Sequence, residues 1–419
     1  MAAKHRSALG RAAKAKRRPS AALKRGAAVS PRKNVRTKDP LARAKALVER
    51  GAFGEAITVA ESLLDADPRY WPAREFIAHI LWRRGYPKEA ILFLESAIMT
   101  APDKAEIQTR LASTLMLAAQ QSGLMMERAV ELAEKILARH VPTVPLLLDL
   151  SNLNFRCGRP DKALRTAERA VAEFPDSKSA KMNLSVALLM HGRKEDAVNA
   201  YATILKPYRI RTGANADNVR RQYANLAAEY DNNPLHQYFS ARMAKFIADT
   251  IGPIGGLRML DAGCGTGLLG TLLNPERLVG IDLSPEMIER ARARNAYADL
   301  IAGDLVETMS KLDTRFDLIA SSCVLYHLAD LAPYFRQAAR LLEPGGHLFI
   351  STDPAPDDMD IGESGPGEYA HSRAYLRRLA AKTGFAEIAI AIMGHRATPG
   401  FWCAFRKGSP ANTDSAHGR

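Results

Sequence analysis

The chain has 419 residues, of which 47% are hydrophobic and 25% charged, and it carries a net charge of +14. This length suggests two or three domains, because a domain usually holds roughly 150 residues. No apolar run approaches the ~20 residues that a membrane-spanning helix needs. We therefore expect a multidomain globular protein without membrane insertion.

The excess of positive charge lies in residues 1–38. Of the 59 Lys and Arg residues, thirteen lie in this segment, which holds no Asp or Glu, so 46 basic and 45 acidic residues remain. This composition predicts a disordered tail. Three roles stay open: a solvated tail without a partner, weak contact with nucleic acid or another polyanion, and an organelle transit peptide. Contact with phosphates would be independent of sequence and sensitive to salt.

The four cysteines lie far apart, without a C-x-x-C pair or a neighbouring His cluster, at Cys157, Cys264, Cys323 and Cys403. This spacing predicts neither a disulfide framework nor a metal site. Cysteines of this kind are typical of a reducing compartment, and no secretory signal follows Met1. We therefore expect a cytoplasmic protein.

A pattern of Gly, Ala and Pro recurs between residues 39 and 209, at a spacing of 34 residues in its first two units. It places equivalent residues at Gly51, Ala56 and Pro68, at Gly85, Ala90 and Pro102, at Gly158, Ala163 and Pro175, and at Gly192 and Ala197. Gly permits a tight turn, Ala lets two helices approach closely, and Pro ends the second helix. The pattern predicts five helix-turn-helix units, the third with about five extra residues in its turn.

These units resemble the tetratricopeptide repeat, as in GYPKEAILFLESAIMTAP and GRPDKALRTAERAVAEFP. The resemblance implies an all-α solenoid with a concave groove suited to a peptide or protein partner. A purely structural or dimerising role for the groove stays open.

Short β-type segments alternate with helical ones between residues 216 and 407, which predicts an α/β domain with a Rossmann-like, doubly wound sheet. The predicted strands are LRMLDA, RLVGID, ADLIAG, FDLIASS, HLFIST, EIAIAI and FWCAFR, and the predicted helices begin near Gly267, Pro285, Leu305, Leu328 and His371. We expect the helical stretch before the first strand to cap the site. We also expect residues 353–379 to form part of an acceptor pocket, and 408–419 to be a disordered tail.

The segment RMLDAGCGTGLLGTLL places Asp261 at a strand end and Gly263, Gly265 and Gly267 before a helix. Such a turn lets a ligand approach the backbone, and free N–H groups there would receive an anionic group. Leu268 occupies the position of the third glycine in the dinucleotide fingerprint, so a dinucleotide is not predicted.

Two further acids follow the next predicted strands. Asp282 ends the second strand, where it is placed to accept both hydroxyls of a ribose, and Asp304 follows the third, where it is placed to accept an adenine amino group. Apolar contacts to the base are expected from Leu283, Met287 and Leu305. The alternative for Asp304 is a helix cap. Together these residues predict a nucleoside site that needs no pyrophosphate.

This half of the chain resembles the class I S-adenosylmethionine-dependent methyltransferases, through D-x-G-x-G-x-G, the two later acids, FDLIASSCVLYHL and LLEPGGHLFIST. The combination with repeats is similar to bacterial predicted methyltransferases that carry tetratricopeptide repeats. The resemblance implies S-adenosylmethionine as cofactor, an unidentified small-molecule or protein acceptor, and cofactor contacts from Asp261, Gly263, Cys264, Gly265, Gly267, Asp282, Leu283, Met287, Asp304 and Leu305. The alternative is a repeat scaffold whose cofactor domain senses S-adenosylmethionine or has lost catalysis.

His327 is the candidate catalytic residue. It lies just past the fourth predicted strand, and a neutral imidazole can accept a proton near pH 7. A base is needed only if the acceptor is protonated, as a hydroxyl or an ammonium is. The alternative is a structural histidine at the edge of the core.

Overall fold

The computed structural model describes residues 39–209 and 216–408. The tail predicted for residues 1–38 lies outside these ranges. So does the predicted C-terminal tail, apart from Gly408.

The first described range folds into helix pairs. Ten helices make up five consecutive pairs: α1 Ala42–Glu49, α2 Phe53–Ala66, α3 Trp71–Arg83, α4 Pro87–Thr100, α5 Ala105–Ser122, α6 Met126–Leu137, α7 Val144–Arg156, α8 Pro160–Glu173, α9 Lys178–Met190 and α10 Lys194–Ala202. The repeat glycines adopt left-handed backbones between the helices of a pair, as at Gly85 with φ 81°. The repeat alanines are buried at the helix contact, as at Ala90. The helix-turn-helix prediction is confirmed.

The third repeat differs from its prediction in one respect. The turn between α5 and α6 holds three residues, 123–125, as many as the turn between α3 and α4. The additional residues instead extend α5 to 18 residues, against 13 in α3, α7 and α9. The end of α5 is rich in Ala, Leu and Gln, which favour continuation of a helix. The longer turn was therefore a wrong expectation.

The second range forms a mixed sheet. Its strands are β2 Arg258–Ala262, β3 Arg277–Asp282, β4 Asp299–Ala302, β5 Phe316–Ser321, β6 Leu342–Ala355, β7 Ile361–Gly365, β8 Glu368–Ser372, β9 Phe385–His395 and β10 Thr398–Lys407, and β1 Lys206–Pro207 joins them from the first range. Strands β4, β3, β2, β5 and β6 are parallel neighbours in that order, and β10 pairs antiparallel with β6 and β9. The order reverses beside β2, where such a sheet opens a crevice for ligands.

Helices cover both faces of this sheet: α11 Ala216–Leu226, α12 Pro234–Ile251, α13 Leu268–Leu273, α14 Pro285–Arg292, α15 Leu305–Lys311, α16 Ala332–Leu341 and α17 Arg373–Lys382. Along β6, Leu348 and Ile350 pack into the core under α16, while Phe349 packs into the core under α12. Both faces of the strand are thus apolar, as in other parallel sheets that are buried on both sides.

Two helix starts differ from their predictions. The helix expected from Leu328 begins at Ala332, because Leu325–His327 forms a 3₁₀ turn first. The helix expected from His371 begins at Arg373, because His371 belongs to β8, where it pairs with Pro354 and Ile361. The shift places His327 on a tight turn instead of on the lead into a helix.

The repeats and the sheet share a hydrogen-bonded junction. Strand β1, which follows α10, pairs antiparallel with β7. Tyr201 of α10 is buried and donates to Asp353 Oδ2 at 2.9 Å, and Arg373 pairs with Glu195 at 2.8 Å. The segment 353–379 therefore joins the repeats to the sheet, and Ser364 and Glu368 within it line a cavity together with Arg396. Its expected role in an acceptor pocket stays a prediction.

Candidate active site

A cleft lies over the carboxyl ends of β2, β3, β4 and β5, and its empty volume, the open mouth included, is about 890 Å³. Its lining brings together seven of the predicted site residues: Gly263, Gly265, Asp282, Leu283, Asp304, Leu305 and His327. The rest of the lining was not predicted and comes from the capping helices and from the segments at β3 and β5: Val219, Tyr223, Tyr230, Ile281, Ser322, Cys323, Val324 and Leu328.

The glycine loop packs closely against its surroundings. Gly263 has φ 90°, and a Cβ built on it would lie 2.3 Å from Val324 Cγ2. Gly267 has φ 85°, and its Cβ would lie 2.9 Å from the ring of Tyr297. A larger residue would therefore meet both an unfavourable backbone conformation and a steric clash at each position.

The N–H groups of this loop are already used. Gly263 and Cys264 donate to the carbonyl oxygen of Ile281 at 2.8 and 2.9 Å, and Gly267 donates to the carbonyl oxygen of Cys264 at 2.9 Å. The N–H of Gly265 donates to Asp282 Oδ2 at 2.8 Å. The expectation that the loop offers free N–H groups to an anion is therefore wrong for these four residues.

Asp282 holds the loop and faces the cleft. Besides Gly265, its carboxylate accepts the N–H of Ser284 through Oδ1 at 2.9 Å. Burial raises its pKa, and the hydrogen bonds from the backbone of Ser284, Gly265 and Leu283 partly oppose that rise. Each carboxylate oxygen has a second lone pair, so both remain able to accept a hydroxyl from a ligand.

Asp304 is a helix cap and also part of the cleft lining. It is the N-cap of α15, with Oδ1 accepting the N–H of Glu307 at 3.0 Å. It also lines the cleft, beside the apolar Leu305. The cap uses one oxygen and fixes the orientation of the carboxylate toward the cavity.

Four predicted contact residues do not line the cleft. Asp261 is buried behind the loop, where it accepts the hydroxyl of Tyr297 at 2.7 Å, and burial raises its pKa to about 7. Cys264 and Met287 are buried, Cys264 in a small core with α14, and Gly267 is the N-cap of α13. Since β2 and its loop are covered on both faces, alternate residues of the motif point away from the cleft.

A cap closes the cleft from the side of α11 and α12, as predicted. Between these helices, Asp231 accepts the hydroxyl of Thr266 and a guanidinium N–H of Arg294, both at 2.5 Å. Arg294 also donates to the carbonyl oxygen of Thr266 at 2.6 Å. The cap is thus bound directly to the glycine loop, and it brings Tyr223 and Tyr230 to the cleft wall.

His327 belongs to a hydrogen-bonded cluster with two tyrosines. The Tyr223 hydroxyl lies 3.2 Å from His327 Nε2 and 2.8 Å from the Tyr326 hydroxyl. Burial, followed by the charge of Arg396, lowers the pKa of His327 to about 4. The imidazole is therefore neutral near pH 7, with a free lone pair, but it is a weaker base than an exposed histidine.

Two further cavities continue from the cleft. A side cavity shares Tyr223, Tyr230, Ser322 and Cys323 with the cleft, and Tyr326 and Arg396 also line it. A groove along α7 and α9 of the repeats shares Leu235, Arg396 and Ala397 with that side cavity. Cleft, side cavity and groove are therefore neighbours through shared wall residues, with Arg396 between the side cavity and the repeats.

Comparisons with known proteins agree with this architecture. Residues 260–350 match the family model for a methyltransferase domain. Residues 47–120 and 148–213 match models for tetratricopeptide repeats. The chain carries a methyltransferase domain behind tetratricopeptide repeats.

The methyltransferase domain is similar to curated relatives over part of their length. A ubiquinone biosynthesis O-methyltransferase of Xylella fastidiosa is 35% identical over 125 residues, which are 28% of this chain and 50% of the relative. The protein of the same name from Chelativorans sp. is 31% identical over 167 residues, 35% of this chain and 65% of the relative. The chain thus spans between half and two thirds of the length of these relatives.

A crystal structure of an S-adenosylmethionine-dependent methyltransferase from Mesorhizobium loti aligns with 39% of this chain and 98% of its own. Its sequence identity is 22% and its TM-score 0.33.

The cleft fits the cofactor of this domain family, S-adenosylmethionine. Its described lining offers two carboxylates and no Lys or Arg, between apolar walls from Ile281, Leu283 and Leu305. The N–H groups of Gly263, Cys264, Gly265 and Gly267 donate within the protein. A nucleoside with a positive sulfonium suits this environment, whereas a pyrophosphate does not.

Proposed function

We propose that the chain is an S-adenosylmethionine-dependent methyltransferase whose repeats bring the acceptor, or a partner that carries it, to the cleft. The observation that carries the proposal is the cleft itself: a cavity with two acids and no Lys or Arg in its described lining, whose side cavity shares wall residues with the repeat groove. The proposed domains are the repeats at residues 39–209 and the methyltransferase domain at residues 216–407.

Each cleft residue receives a role from its position. Asp282 would accept the ribose hydroxyls while holding Gly265, and Asp304 would face the adenine. Leu283 and Leu305 would contact the base. The buried Asp261 would act through Tyr297, by fixing the strand that carries the loop. The bound cofactor supplies an activated methyl group, so the protein has mainly to align an acceptor with it.

His327 is the proposed base or positioning group for the acceptor. It lines the cleft at the side where the cavity of Tyr223 and Tyr326 begins, and its low pKa keeps it unprotonated. The similar relatives are named as O-methyltransferases, which makes a hydroxyl the first acceptor class to test. A hydroxyl must lose its proton during transfer and therefore needs such a base.

The repeat groove is the proposed recruiting surface. Phe155, Met182, Val186 and Met190 give it apolar side chains, and Asn152 and Asn183 give it hydrogen-bonding groups. A peptide or protein segment offers both kinds of contact.

No helix of the described residues is long and apolar enough to cross a membrane. We propose a cytoplasmic location, and weak contact of residues 1–38 with polyanions.

Calorimetry on the full chain tests cofactor binding, with S-adenosylmethionine and S-adenosylhomocysteine as ligands. Incubation of cell extract with radiolabelled S-adenosylmethionine, with and without the chain, then tests transfer and separates small-molecule from protein products. We expect binding of both ligands and a labelled product that requires the chain. Binding without a labelled product would favour a scaffold that senses S-adenosylmethionine, and absence of binding would contradict the proposal.

A further inference from the structure

Cys323 lies between the cleft and the side cavity. It follows β5 with a left-handed backbone of φ 57°, and its N–H donates to Ser351 Oγ at 2.9 Å. The residue is half-buried and lines both cavities. A small molecule in either cavity therefore reaches this cysteine.

A buried imidazole and a buried carboxylate lie behind it. His395 and Asp353 are both fully buried, and His395 Nδ1 is 2.6 Å from Asp353 Oδ1. The opposite ring nitrogen, Nε2, is buried without a conventional hydrogen-bond partner. Cys323 and His395 favour each other's charged forms, so the pKa of His395 rises and that of Cys323 falls. The three side chains thus form a series of carboxylate, imidazole and thiol that ends at the cavity wall.

The charges along this series support one another. Burial opposes the charge of Asp353, but the hydrogen bond from His395 and the charge of Arg396 lower its pKa to about 2. Burial also opposes a charged imidazole, yet the charge of Cys323 and contacts with Asp353 raise the pKa of His395 to about 9. Against burial, His395 and Arg396 lower the pKa of Cys323. These interactions favour the thiolate form of Cys323 and the imidazolium form of His395.

We propose that Cys323 is a site of covalent modification by soft electrophiles and peroxides, at which an adduct closes the cofactor cleft. With an alkyl iodide, the sulfur forms a bond to carbon and iodide leaves. With hydrogen peroxide, the sulfur forms a bond to oxygen, the O–O bond breaks and hydroxide leaves, which oxidises the sulfur by two electrons to a sulfenic acid. His395 keeps its proton in both reactions.

The chain offers a matched control in Cys157, which is also half-buried but lies in the repeats, where burial raises its pKa. The full chain would be treated with limiting iodoacetamide at pH 6.5, and the modification of each cysteine followed by mass spectrometry. We expect Cys323 to react about tenfold faster than Cys157 or more. Equal or slower reaction of Cys323 would overturn the proposal.

The pH dependence of the same reaction separates activation from mere exposure. Arg396 stays charged, and burial raises the pKa of the tyrosines around the sulfur, Tyr223, Tyr230 and Tyr326, so the thiol and His395 are the pair that titrates. Between pH 8.5 and 6.5 we expect the rate at Cys157 to fall by up to ~100-fold and the rate at Cys323 to change much less. Parallel falls would contradict the thiolate.

His395→Gln removes the imidazolium, and should bring the Cys323 rate close to that of Cys157 while Cys157 itself keeps its rate. An unchanged rate at Cys323 would overturn the role of His395. If the variant loses its fold, the buried Cys403 becomes reactive, and the pH profile of the unmodified chain then decides.

Closure of the cleft, which rests on the proposed function, is tested with S-adenosylhomocysteine. Saturating ligand should protect Cys323 but not Cys157, and alkylated protein should lose binding in calorimetry. Binding that survives alkylation would overturn closure. A chain that never binds the ligand would contradict the proposed function and closure together, while the reactivity of Cys323 is judged by the cysteine comparison alone.

Discussion

The repeats and the methyltransferase domain use glycine in different ways. In the repeats, Gly51, Gly85 and Gly158 have left-handed backbones, yet a Cβ on any of them would meet no atom within 4 Å. In the cleft, Gly263 also has a left-handed backbone, but a Cβ on it would lie 2.3 Å from Val324 Cγ2. Glycine therefore serves only the turn in these repeats, whereas Gly263 also permits close packing of the loop against Val324. We therefore expect a substitution of a repeat glycine to be tolerated better than a substitution of Gly263.

The largest effect is expected at His327. His327→Gln keeps the size of the side chain but removes the base, and should slow methyl transfer by about 10²–10⁴ while cofactor affinity stays unchanged. Because burial lowers the pKa to about 4, the acidic limb of the rate profile should lie near pH 4 in the native chain and disappear in the variant. A stable variant with a native rate would indicate an acceptor that is already deprotonated, such as a carboxylate.

The lowered pKa of His327 also predicts how the free energy of unfolding depends on pH. Its pKa in the folded state lies below the value of about 6.5 expected in the unfolded chain, so the unfolded state binds a proton first as pH falls. Its contribution to stability should be complete above pH 6.5 and decline toward pH 4. Unfolding by urea at pH 7 and 5 measures it, and His327→Gln should reduce the difference between the two pH values.

The glycine comparison is tested by two matched substitutions. Gly85→Ala introduces only an unfavourable backbone conformation, worth about 1–2 kcal/mol. Gly263→Ala adds a methyl group 2.3 Å from Val324, which brings a further ~1–3 kcal/mol and displaces the cleft wall. Urea unfolding and calorimetry should show a larger loss of stability for Gly263→Ala, and loss of cofactor affinity in that variant alone. Equal effects would mean that the loop is free to relax.

Substitution of Asp282 tests cofactor binding in the cleft without changing the repeat groove. Asp282→Ala removes a charged acceptor and should weaken S-adenosylmethionine by roughly 10- to 150-fold, or about 1.5–3 kcal/mol. Asp304→Asn, which keeps the cap of α15, should weaken it less. Unchanged affinity in Asp282→Ala, measured by calorimetry, would show that the nucleoside lies elsewhere.

The smallest effect on the fold is expected from deleting residues 1–38. The segment carries charge and few large apolar residues, so the thermal midpoint and the cofactor affinity should stay unchanged. Salt-dependent adhesion to heparin or DNA should fall. A marked drop in the midpoint would contradict the prediction that this segment is a dispensable tail.

The repeats could be predicted because their contacts lie close in sequence. The Gly-to-Ala spacing alone defines a turn and the helix that follows it. Only the length of α5 was missed, because the helix propensity of its last residues extends the helix where a longer turn was expected. In the cleft, by contrast, the ends of the strands could be predicted, but not which side chains at those ends are buried in the core. Asp261 and Cys264 face the core because β2 is covered on both sides.

The unpredicted site residues come from contacts distant in sequence. Tyr223 meets Tyr326 across 103 positions, and Asp353 meets His395 across 42. No local pattern marks such pairs. The junction between β1 and β7 was missed for the same reason, since two residues of strand leave no periodic signal.

The central claim is that the groove selects the acceptor while the cleft binds the cofactor, and one comparison of variants tests it most directly. Met190→Lys changes an exposed side chain in the groove, and Met99→Lys changes an exposed side chain that does not line it. Extract labelling and calorimetry would be run on both full-length variants. We expect native cofactor affinity in both, with product formation reduced about tenfold in Met190→Lys only. Equal product formation by the two variants would contradict the claim.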